Sequence, residues 1–281
     1  MNTEAFAIDR ETSFDRCAAR TGTWLQDFPS HNSFADYLRL IDELADASRY
    51  RVMPGNEFYS APADPERITV FLRHDIDNDP FTALRMAHAE AERGLQGTYY
   101  VLPTGVYYGI FRNGKYYRYA CMDWIYQAIA SLGHEIGVHN DLLTLMLEYD
   151  INPASFQAQE LRYYQEIGIT VRGVCSHGSR FNALGLNNTW MYSEFGRKGN
   201  FVYGGKTYGY GELTLPQFGF LYEPYLLARD MRKEHRLSDI GPDHGSKLPS
   251  CLKAFGPGIK IMLLTHPIHW KDQHPKNGNE S

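Results

Sequence analysis

The chain of 281 residues has a net charge of -5, with 22% charged and 43% hydrophobic residues. These values are typical of a globular protein and exclude a disordered or fibrous chain, and the length suits one large α/β barrel. A negative net charge without a basic cluster argues against a protein held on nucleic acid by counterion release. We therefore expect one large core and no nucleic-acid partner.

The N-terminus and the cysteines predict the cellular compartment. The opening stretch MNTEAFAIDRETSFDRC is acidic where a secretory signal needs a basic end followed by an apolar run. No window approaches the roughly eighteen consecutive apolar residues of a membrane-spanning helix. The cysteines have no paired spacing, which fits neither a disulfide framework nor a cysteine zinc site: Cys17, Cys121, Cys175 and Cys251. We predict a reduced, cytoplasmic protein without a transmembrane segment.

The first predicted element is an amphipathic helix in SFADYLRLIDELADA, with Ser33 as its N-cap. Apolar residues recur there at spacings of three and four: Phe34, Tyr37, Leu38, Ile41 and Leu44. We expect residues 1–50 to form an N-terminal extension whose helix packs on a barrel domain of residues 51–281.

Short apolar runs then alternate with helical stretches. The predicted strands are ITVFL, GTYYVLP, EIGVHN, GVCSH and IKIMLLTH. The helices between the first four are TALRMAHAEAERGL, DWIYQAIASLG and ASFQAQELRYYQEIG, closed by Gly94, Gly133 and Gly168. Glycine is favoured at such positions because a left-handed C-terminal cap costs it least. Repeated strand–helix units predict a parallel sheet with helices outside.

The pattern is less regular through FVYGGKTYGYGELTLPQFGF and resumes with YLLARDMRKEHRL and SDIG. No GxGxxG fingerprint of a dinucleotide-binding sheet is present. We therefore predict an α/β fold, a distorted or incomplete (β/α) barrel of six or seven parallel strands.

Polar or ionisable residues follow five predicted strands. They are His74, Asp75 and Asp77; His139, Asn140 and Asp141; Ser176 and His177; Ser238 and Asp239; and His266, His269 and Trp270. The active sites of parallel barrels lie at the C-terminal ends of the strands, where the loops converge. We expect these side chains to form one site.

The residue types indicate metal chemistry. One carboxylate and two imidazoles, with a position left for water, are the ligands expected of a catalytic zinc site. In a strand, Asp75 and Asp77 share a face while Ile76 points away. One of the two aspartates can therefore hold a metal while the other accepts a proton.

At this point the motifs resemble those of the polysaccharide deacetylases of carbohydrate esterase family 4, the NodB homology domain. Five stretches resemble the family's motifs in the family's order: RHDID, GHEIGVHN, GVCSHGSRFN, SDIG and LLTHPIHW. The RHDxD opening looks closest to a divergent branch, some members of which are associated with surface-polysaccharide and O-antigen synthesis. The resemblance implies a NodB-like barrel.

The resemblance also implies roles for single residues. Asp75 is then the general base, Asp77 and His139 are metal ligands, and His266 is the general acid. The expected cofactor is a divalent metal, preferably zinc. The expected substrate is a carbohydrate that bears an N-acyl amino sugar, so the implied enzyme is a metal-dependent deacetylase of polysaccharide or O-antigen biosynthesis. Asp239 is expected to orient His266, as carboxylates beside catalytic histidines often do.

Two residues of the family pattern are missing. Leu143 stands where the family has its second metal-binding histidine, which leaves His177 and Asp141 as candidates for the third ligand. We favour His177 because imidazole suits zinc. The arginine that steadies the base has no clear match, and Arg180 is the nearest candidate.

Substrate contacts are predicted for Arg180, Asp141 and Trp270, together with Tyr107 and Tyr108. The two tyrosines lie in the tyrosine-rich run GTYYVLPTGVYYGIFRNGKYYRY. A binding rim and packing within a loop are equally compatible with their positions.

Three other functions remain open. A serine or cysteine hydrolase has candidate nucleophiles near His177 but lacks the GxSxG elbow. A sugar-binding relic of the deacetylase fold would explain Leu143, but it has little need of both Asp75 and His266. The same constellation would also serve hydrolysis of another amide or a formyl group.

Overall fold

The computed structural model describes residues 6–9, 32–240 and 244–272. Its strands are β1 (Phe6–Asp9), β2 (Tyr50–Met53), β3 (Ile68–Ile76), β4 (Thr98–Val101), β5 (Gly109–Arg112), β6 (Lys115–Tyr119), β7 (Glu135–Asn140), β8 (Val174–Ser176), β9 (Gly199–Tyr203), β10 (Lys206–Tyr210), β11 (Arg236–Ser238) and β12 (Lys260–Thr265). Its α-helices are α1 (Phe34–Leu44), α2 (Gly55–Phe58), α3 (Pro80–Ala91), α4 (Asp123–Ser131), α5 (Leu142–Glu148), α6 (Pro153–Glu166), α7 (Pro224–Arg229) and α8 (His244–Lys253).

Seven of the strands form one curled, all-parallel sheet that makes a half-barrel. Six lie side by side in the order β11, β12, β3, β4, β7 and β8, and β2 pairs with β3 as the seventh. Within the described part of the chain, no strand pairing joins β8 to β11, so the barrel does not close. The expected barrel-like α/β architecture is confirmed.

The central strand β3 is buried along all nine of its residues. β12 lies along one edge, while the other edge is shared by β2 beside the first half and β4 beside the second half. A strand that is buried on both faces has a continuous apolar sequence, and this explains the apolar run ITVFL. The strand extends past the predicted ITVFL to Ile76. Arg73, His74 and Asp75 therefore lie inside the sheet, not in a loop after it.

Helices cover the outside of the sheet. The predicted amphipathic helix is present as α1, where Ser33 and Asp36 form a reciprocal capping box. Its buried Tyr37, Leu40 and Ile41 belong to one hydrophobic cluster with sheet residues such as Leu72 and Leu263. Leu248 and Leu252 of α8 belong to the same cluster. The side of α1 that the periodicity marked as apolar therefore faces the sheet.

Glycines end the helices α3, α4 and α6 as predicted. Gly94, Gly133 and Gly168 have φ values of 69°, 93° and 82°, in the left-handed region that glycine tolerates best. Another glycine, Gly137 in β7, makes room for an aromatic ring, because a Cβ there would lie 2.5 Å from the ring of Tyr100. The three glycines with positive φ let the chain turn back toward the sheet, and Gly137 lets the ring of Tyr100 pack closely against β7.

Tyr100, Tyr222 and Glu135 fill the inside of the half-barrel. The Tyr100 hydroxyl donates to the Tyr222 hydroxyl at 2.7 Å, and the Tyr222 hydroxyl donates to Glu135 Oε2 at 2.8 Å. Glu135 lies at the N-terminal end of β7, so this polar layer closes the interior on that side. His139 and Ser176 lie at or near the opposite, C-terminal ends of β7 and β8.

Several elements were not predicted. The irregular stretch after β8 contains the hairpin β9–β10, whose turn residues Gly204 and Gly205 both have positive φ. Two such residues define a two-residue hairpin turn of the primed type. A second hairpin, β5–β6, occupies the tyrosine-rich run, and β6 also pairs with β1.

The cysteines correct one expectation. Cys175 and Cys251 are free thiols, whereas Cys121 is disulfide-bonded, so the prediction of a fully reduced chain is wrong at Cys121. Cys17 lies outside the described residues. In the segments that the structure covers, none of the helices combines the length and apolar character needed to cross a bilayer.

Candidate metal centre and active site

The inner face of β3 carries a row of charged side chains. Residues two apart on a strand share a face, so Arg73 and Asp75 point the same way and Asp77 continues the row past the strand end. Asp75 Oδ2 and Asp77 Oδ1 lie 3.4 and 3.3 Å from the same atom, His139 Nε2. Both aspartates therefore face the same imidazole nitrogen.

Three predicted ligands lie together at the C-terminal ends of β3, β7 and β8. Ligand atoms of Asp77, His139 and His177 are all within 4.8 Å of one another. Asp77 Oδ1 is 3.3 Å from His139 Nε2 and 3.9 Å from His177 Nε2, and this buried oxygen has no hydrogen-bond partner. Two ligands about 2.1 Å from a tetrahedral zinc ion lie about 3.4 Å apart, so the donor set fits zinc with modest closure.

A backbone carbonyl orients His139. Its Nδ1 lies 3.0 Å from the carbonyl oxygen of Cys175, the residue directly opposite it in the pairing of β7 and β8. Nδ1 must donate this hydrogen bond, which leaves the lone pair on Nε2 directed at Asp77. Outer hydrogen bonds of this kind fix the tautomer of metal-binding histidines.

Asp141, the N-cap residue of α5, faces the outer nitrogen of His177. His177 Nδ1 lies 3.6 Å from Asp141 Oδ2, and Asp141 Oδ1 accepts a hydrogen bond from Asn188 Nδ2 at 2.9 Å. Asn188 also donates to the His177 carbonyl at 2.8 Å. Asp141 therefore lies behind the third histidine and faces its outer nitrogen. Of the two candidates left open by the sequence, His177 is the one grouped with Asp77 and His139.

Leu143 does not face the cluster of Asp77, His139 and His177. Its side chain is fully buried in the hydrophobic core between the sheet and the helices. A histidine at this position would point into that core, and His177 from the next strand occupies the place beside Asp77.

Arg73 holds Asp75 in place. Arg73 Nε and Nη2 donate to the two carboxylate oxygens at 2.8 and 2.5 Å, and both side chains are almost fully buried. Burial alone would raise the pKa of Asp75, but the Arg73 guanidinium and His139 together hold that pKa well below its ordinary value. Asp75 is therefore ionised at neutral pH.

Asp239 holds His266. Asp239 Oδ1 lies 2.8 Å from His266 Nδ1, and Oδ2 accepts from the His266 backbone N–H at 2.7 Å and from Trp270 Nε1 at 2.8 Å. Burial lowers the pKa of His266, but the hydrogen bond and charge of Asp239 outweigh it and raise the pKa to about 9. His266 is therefore a protonated imidazolium at neutral pH, with Nε2 free to donate.

Three predicted substrate contacts are buried side chains. Tyr107 and Tyr108 are 0% and 1% exposed, so they are core residues and do not form a rim. Their hydroxyls donate to the Ile76 carbonyl and to Glu160, which explains how two tyrosines are tolerated inside. Trp270 is also fully buried and supports Asp239 instead of facing a substrate.

Arg180 was the nearest candidate for the arginine that steadies the base, and this assignment is wrong. Its side chain is 68% exposed and pairs with Glu148 at 2.6 Å. Arg73 makes the contact instead. The sequence could have predicted the contact between Arg73 and Asp75, because residues two apart on a strand lie on the same face.

His74 points away from this site. On the opposite face of β3, its Nδ1 lies 2.6 Å from Thr265 Oγ1 and its Nε2 lies 3.0 Å from Glu90 Oε1. All three side chains are fully buried. Although His74 belongs to RHDID, it is part of a polar network between the sheet and the helices.

Two further clusters have the composition of a metal site. Asp75, His139 and Cys175 form one, but Arg73 already neutralises Asp75 and donates to Cys175 Sγ at 2.7 Å. Asp239, His266 and His269 form the other, in which Asp239 already accepts three hydrogen bonds. The cluster of Asp77, His139 and His177 is the one whose central oxygen has no other partner.

Comparisons with protein-family models, curated proteins and solved structures find no match to this chain.

Proposed function

We propose that the chain is a metal-dependent hydrolase that removes an N-acetyl or similar acyl group from an amino sugar in polysaccharide or O-antigen biosynthesis. The main support for the proposal is that three kinds of group lie close together: a set of metal-type ligands, an ionised carboxylate and a protonated imidazole. A metal-type cluster of Asp77, His139 and His177 lies beside an ionised Asp75 and close to a protonated His266. Hydrolysis of an amide needs a metal or oxyanion stabiliser, a base and an acid.

Zinc is the preferred metal for the three ligands because two imidazoles and one carboxylate suit it. When bound, zinc lowers the pKa of a coordinated water and polarises the carbonyl of the acyl group. Asp141 would keep the His177 imidazole oriented toward the metal, and the Cys175 carbonyl would do the same for His139.

The protein's own residues move the protons. Asp75 accepts a proton from the water that adds to the acyl carbon, and Arg73 keeps its carboxylate oriented while it does so. His266 then donates its proton to the amide nitrogen as the carbon–nitrogen bond breaks, leaving a carboxylate and a free amine. Asp239 stabilises the imidazolium before this transfer. A group with a pKa of about 9 is protonated at neutral pH, which suits an acid.

The choice of an amino sugar as substrate comes from the resemblance of the five motifs to the deacetylases, whereas the site geometry supports the reaction type alone. A sugar-binding relic would hold the same residues without turnover. The two functions differ in one measurable quantity, the release of acetate.

The first test is the zinc content of the purified chain by mass spectrometry. The parent is compared with Asp77→Ala, His139→Ala and His177→Ala, and with His88→Ala as a control at an exposed histidine of α3. We expect near-stoichiometric zinc in the parent and the control and its loss in the other three. Acetate release is then screened on N-acetyl amino sugars. A parent that binds no metal when zinc is supplied would overturn the hydrolase, and zinc binding without acetate release would favour the relic.

A further inference from the structure

Tyr225 lies at the rim of the site, beside the Arg73–Asp75 pair. Its side chain is 40% exposed, yet its hydroxyl lies 3.5 Å from Arg73 Nη2 and its ring centroid is 5.0 Å from Arg73 Cζ. Arg73 itself is 1% exposed. The inner side of the ring thus covers the guanidinium, a cation–π contact, while part of the ring stays open to solvent.

Glu223 fixes the backbone of Tyr225 relative to the candidate metal cluster. As the N-cap of α7, Glu223 accepts the backbone N–H of Tyr225 at 2.6 Å and that of Leu226 at 3.0 Å through Oε2. Its other oxygen accepts the Ser176 N–H at 3.1 Å, directly before His177 in the chain. One buried carboxylate therefore joins the Tyr225 backbone to the strand that presents the third ligand.

An exposed aromatic ring that is held so firmly is suited to contact a ligand. Tyrosine offers a large, rigid surface with a polar tip, and it loses little conformational freedom when a ligand covers it. Tyr107 and Tyr108 cannot act in this way because they are buried in the core. The C–H groups on one side of a pyranose ring form an apolar face that can pack against an aromatic ring, while the hydroxyls point outward.

We propose that Tyr225 is a substrate-binding residue of this site, against whose exposed ring the pyranose ring of the amino sugar packs while the acyl group lies over Asp75 and Asp77. This inference rests on the proposed function and adds the residue that selects a sugar over a simple amide. The interaction is made in the ground state and the transition state alike, so its loss raises KM and leaves kcat nearly unchanged.

The test measures KM and kcat for acetate release from N-acetylglucosamine and its β-1,4-linked trimer by the zinc-loaded full chain. Tyr225→Ala removes the ring, and Tyr225→Phe keeps it. Tyr59→Ala is the matched control, because Tyr59 is 38% exposed and stacks on Tyr222 instead of Arg73. Zinc content and the urea midpoint are recorded for each variant, so that misfolding and metal loss are recognised.

We expect Tyr225→Ala to raise KM at least about tenfold with kcat within about threefold, the size of one lost aromatic contact. Tyr225→Phe should bring KM back to within about threefold of the parent. A Tyr225→Ala variant with normal zinc content and an unchanged KM overturns the inference. So does a Tyr59→Ala variant with the same rise in KM.

Failure of the proposed function gives a different result. If the parent releases no acetate, binding of the trimer to the zinc-loaded chain is measured by saturation-transfer NMR. Sugar that binds the parent and not Tyr225→Ala supports Tyr225 as the sugar contact even in a relic. Equal binding to both, or no binding to the parent, overturns it.

Discussion

Arg73 and Asp75 are two residues apart on one strand and form a buried, two-pronged ion pair at 2.8 and 2.5 Å. One strand therefore supplies both Asp75, the proposed base, and the arginine that orients its carboxylate. Removing one partner from a buried ion pair leaves an uncompensated charge, which is far more costly than loss of an exposed pair.

Arg73→Met should therefore lower the free energy of unfolding by about 3 to 5 kcal/mol and reduce the proposed hydrolysis by about a hundredfold. Urea unfolding and initial rates measure the two effects. Arg180→Met is the matched control, since Arg180 is exposed and its pair with Glu148 is worth about 1 kcal/mol or less. Similar losses of stability in the two variants would contradict the buried role of Arg73.

Leu143→His should not replace His177 as a ligand. In the background of His177→Ala, the new histidine would lie in the core and leave the zinc content low. It should also lower the free energy of unfolding by about 3 kcal/mol, because a polar group replaces a buried apolar one. Zinc analysis and urea unfolding provide the measurements. Near-stoichiometric zinc in the double variant would show that position 143 reaches the metal.

Asp239→Asn should change the pH dependence of stability in metal-free protein. Asp239 helps to raise the pKa of His266 from 6.5 to about 9, despite burial, which lowers it. The stabilisation is fully present below pH 6.5 and is lost as the pH rises through about 9. The difference in free energy of unfolding between parent and variant should shrink by about 3 kcal/mol over this window. A series of urea titrations should show it, and a constant difference would contradict the linkage.

Glu160→Gln should stabilise the chain at alkaline pH. Burial raises the pKa of Glu160 from 4.5 to about 7, although Arg118 and Tyr108 oppose the shift. The stability that comes from its proton is present below pH 4.5 and is lost as the pH rises through about 7. Glutamine does not ionise, so the variant should match the parent near pH 4.5 and exceed it by about 2 to 3 kcal/mol above pH 7. Glu166→Gln, an exposed change on the same helix, should follow the parent at every pH; a Glu160→Gln curve that also follows it would refute the prediction.

Much of the scaffold was predictable because it depends on local signals. Apolar runs gave the strands, glycines gave the ends of α3, α4 and α6, and the position of His177 after β8 placed it near His139. These features follow from period and strand order. The pairing of Asp239 with His266 was also within reach, since adjacent parallel strands end side by side.

The features that were not predicted have a common physical cause. Whether a side chain is buried depends on partners that are distant in the sequence. Tyr107 and Tyr108 have the composition of a binding rim, but buried acceptors for their hydroxyls let them pack inside. Tyr225 gave no signal in a helical stretch, because the residue that its ring covers, Arg73, is distant in sequence. The hairpin β9–β10 was obscured by the same glycines that form its turn.

Both faces of β3 carry polar side chains with specific partners. Asp75 faces the metal cluster, and His74 faces Glu90 and Thr265 on the helix side. Because alternate residues occupy opposite faces, a single residue inserted or deleted before Arg73 would exchange the two sets at once. Asp75, the proposed base, would move into the buried network of Glu90 and Thr265, and His74 would take its place at the candidate site. An added residue would disturb the fold far less in a loop such as the turn at Gly204, where it alters only the tip of a hairpin.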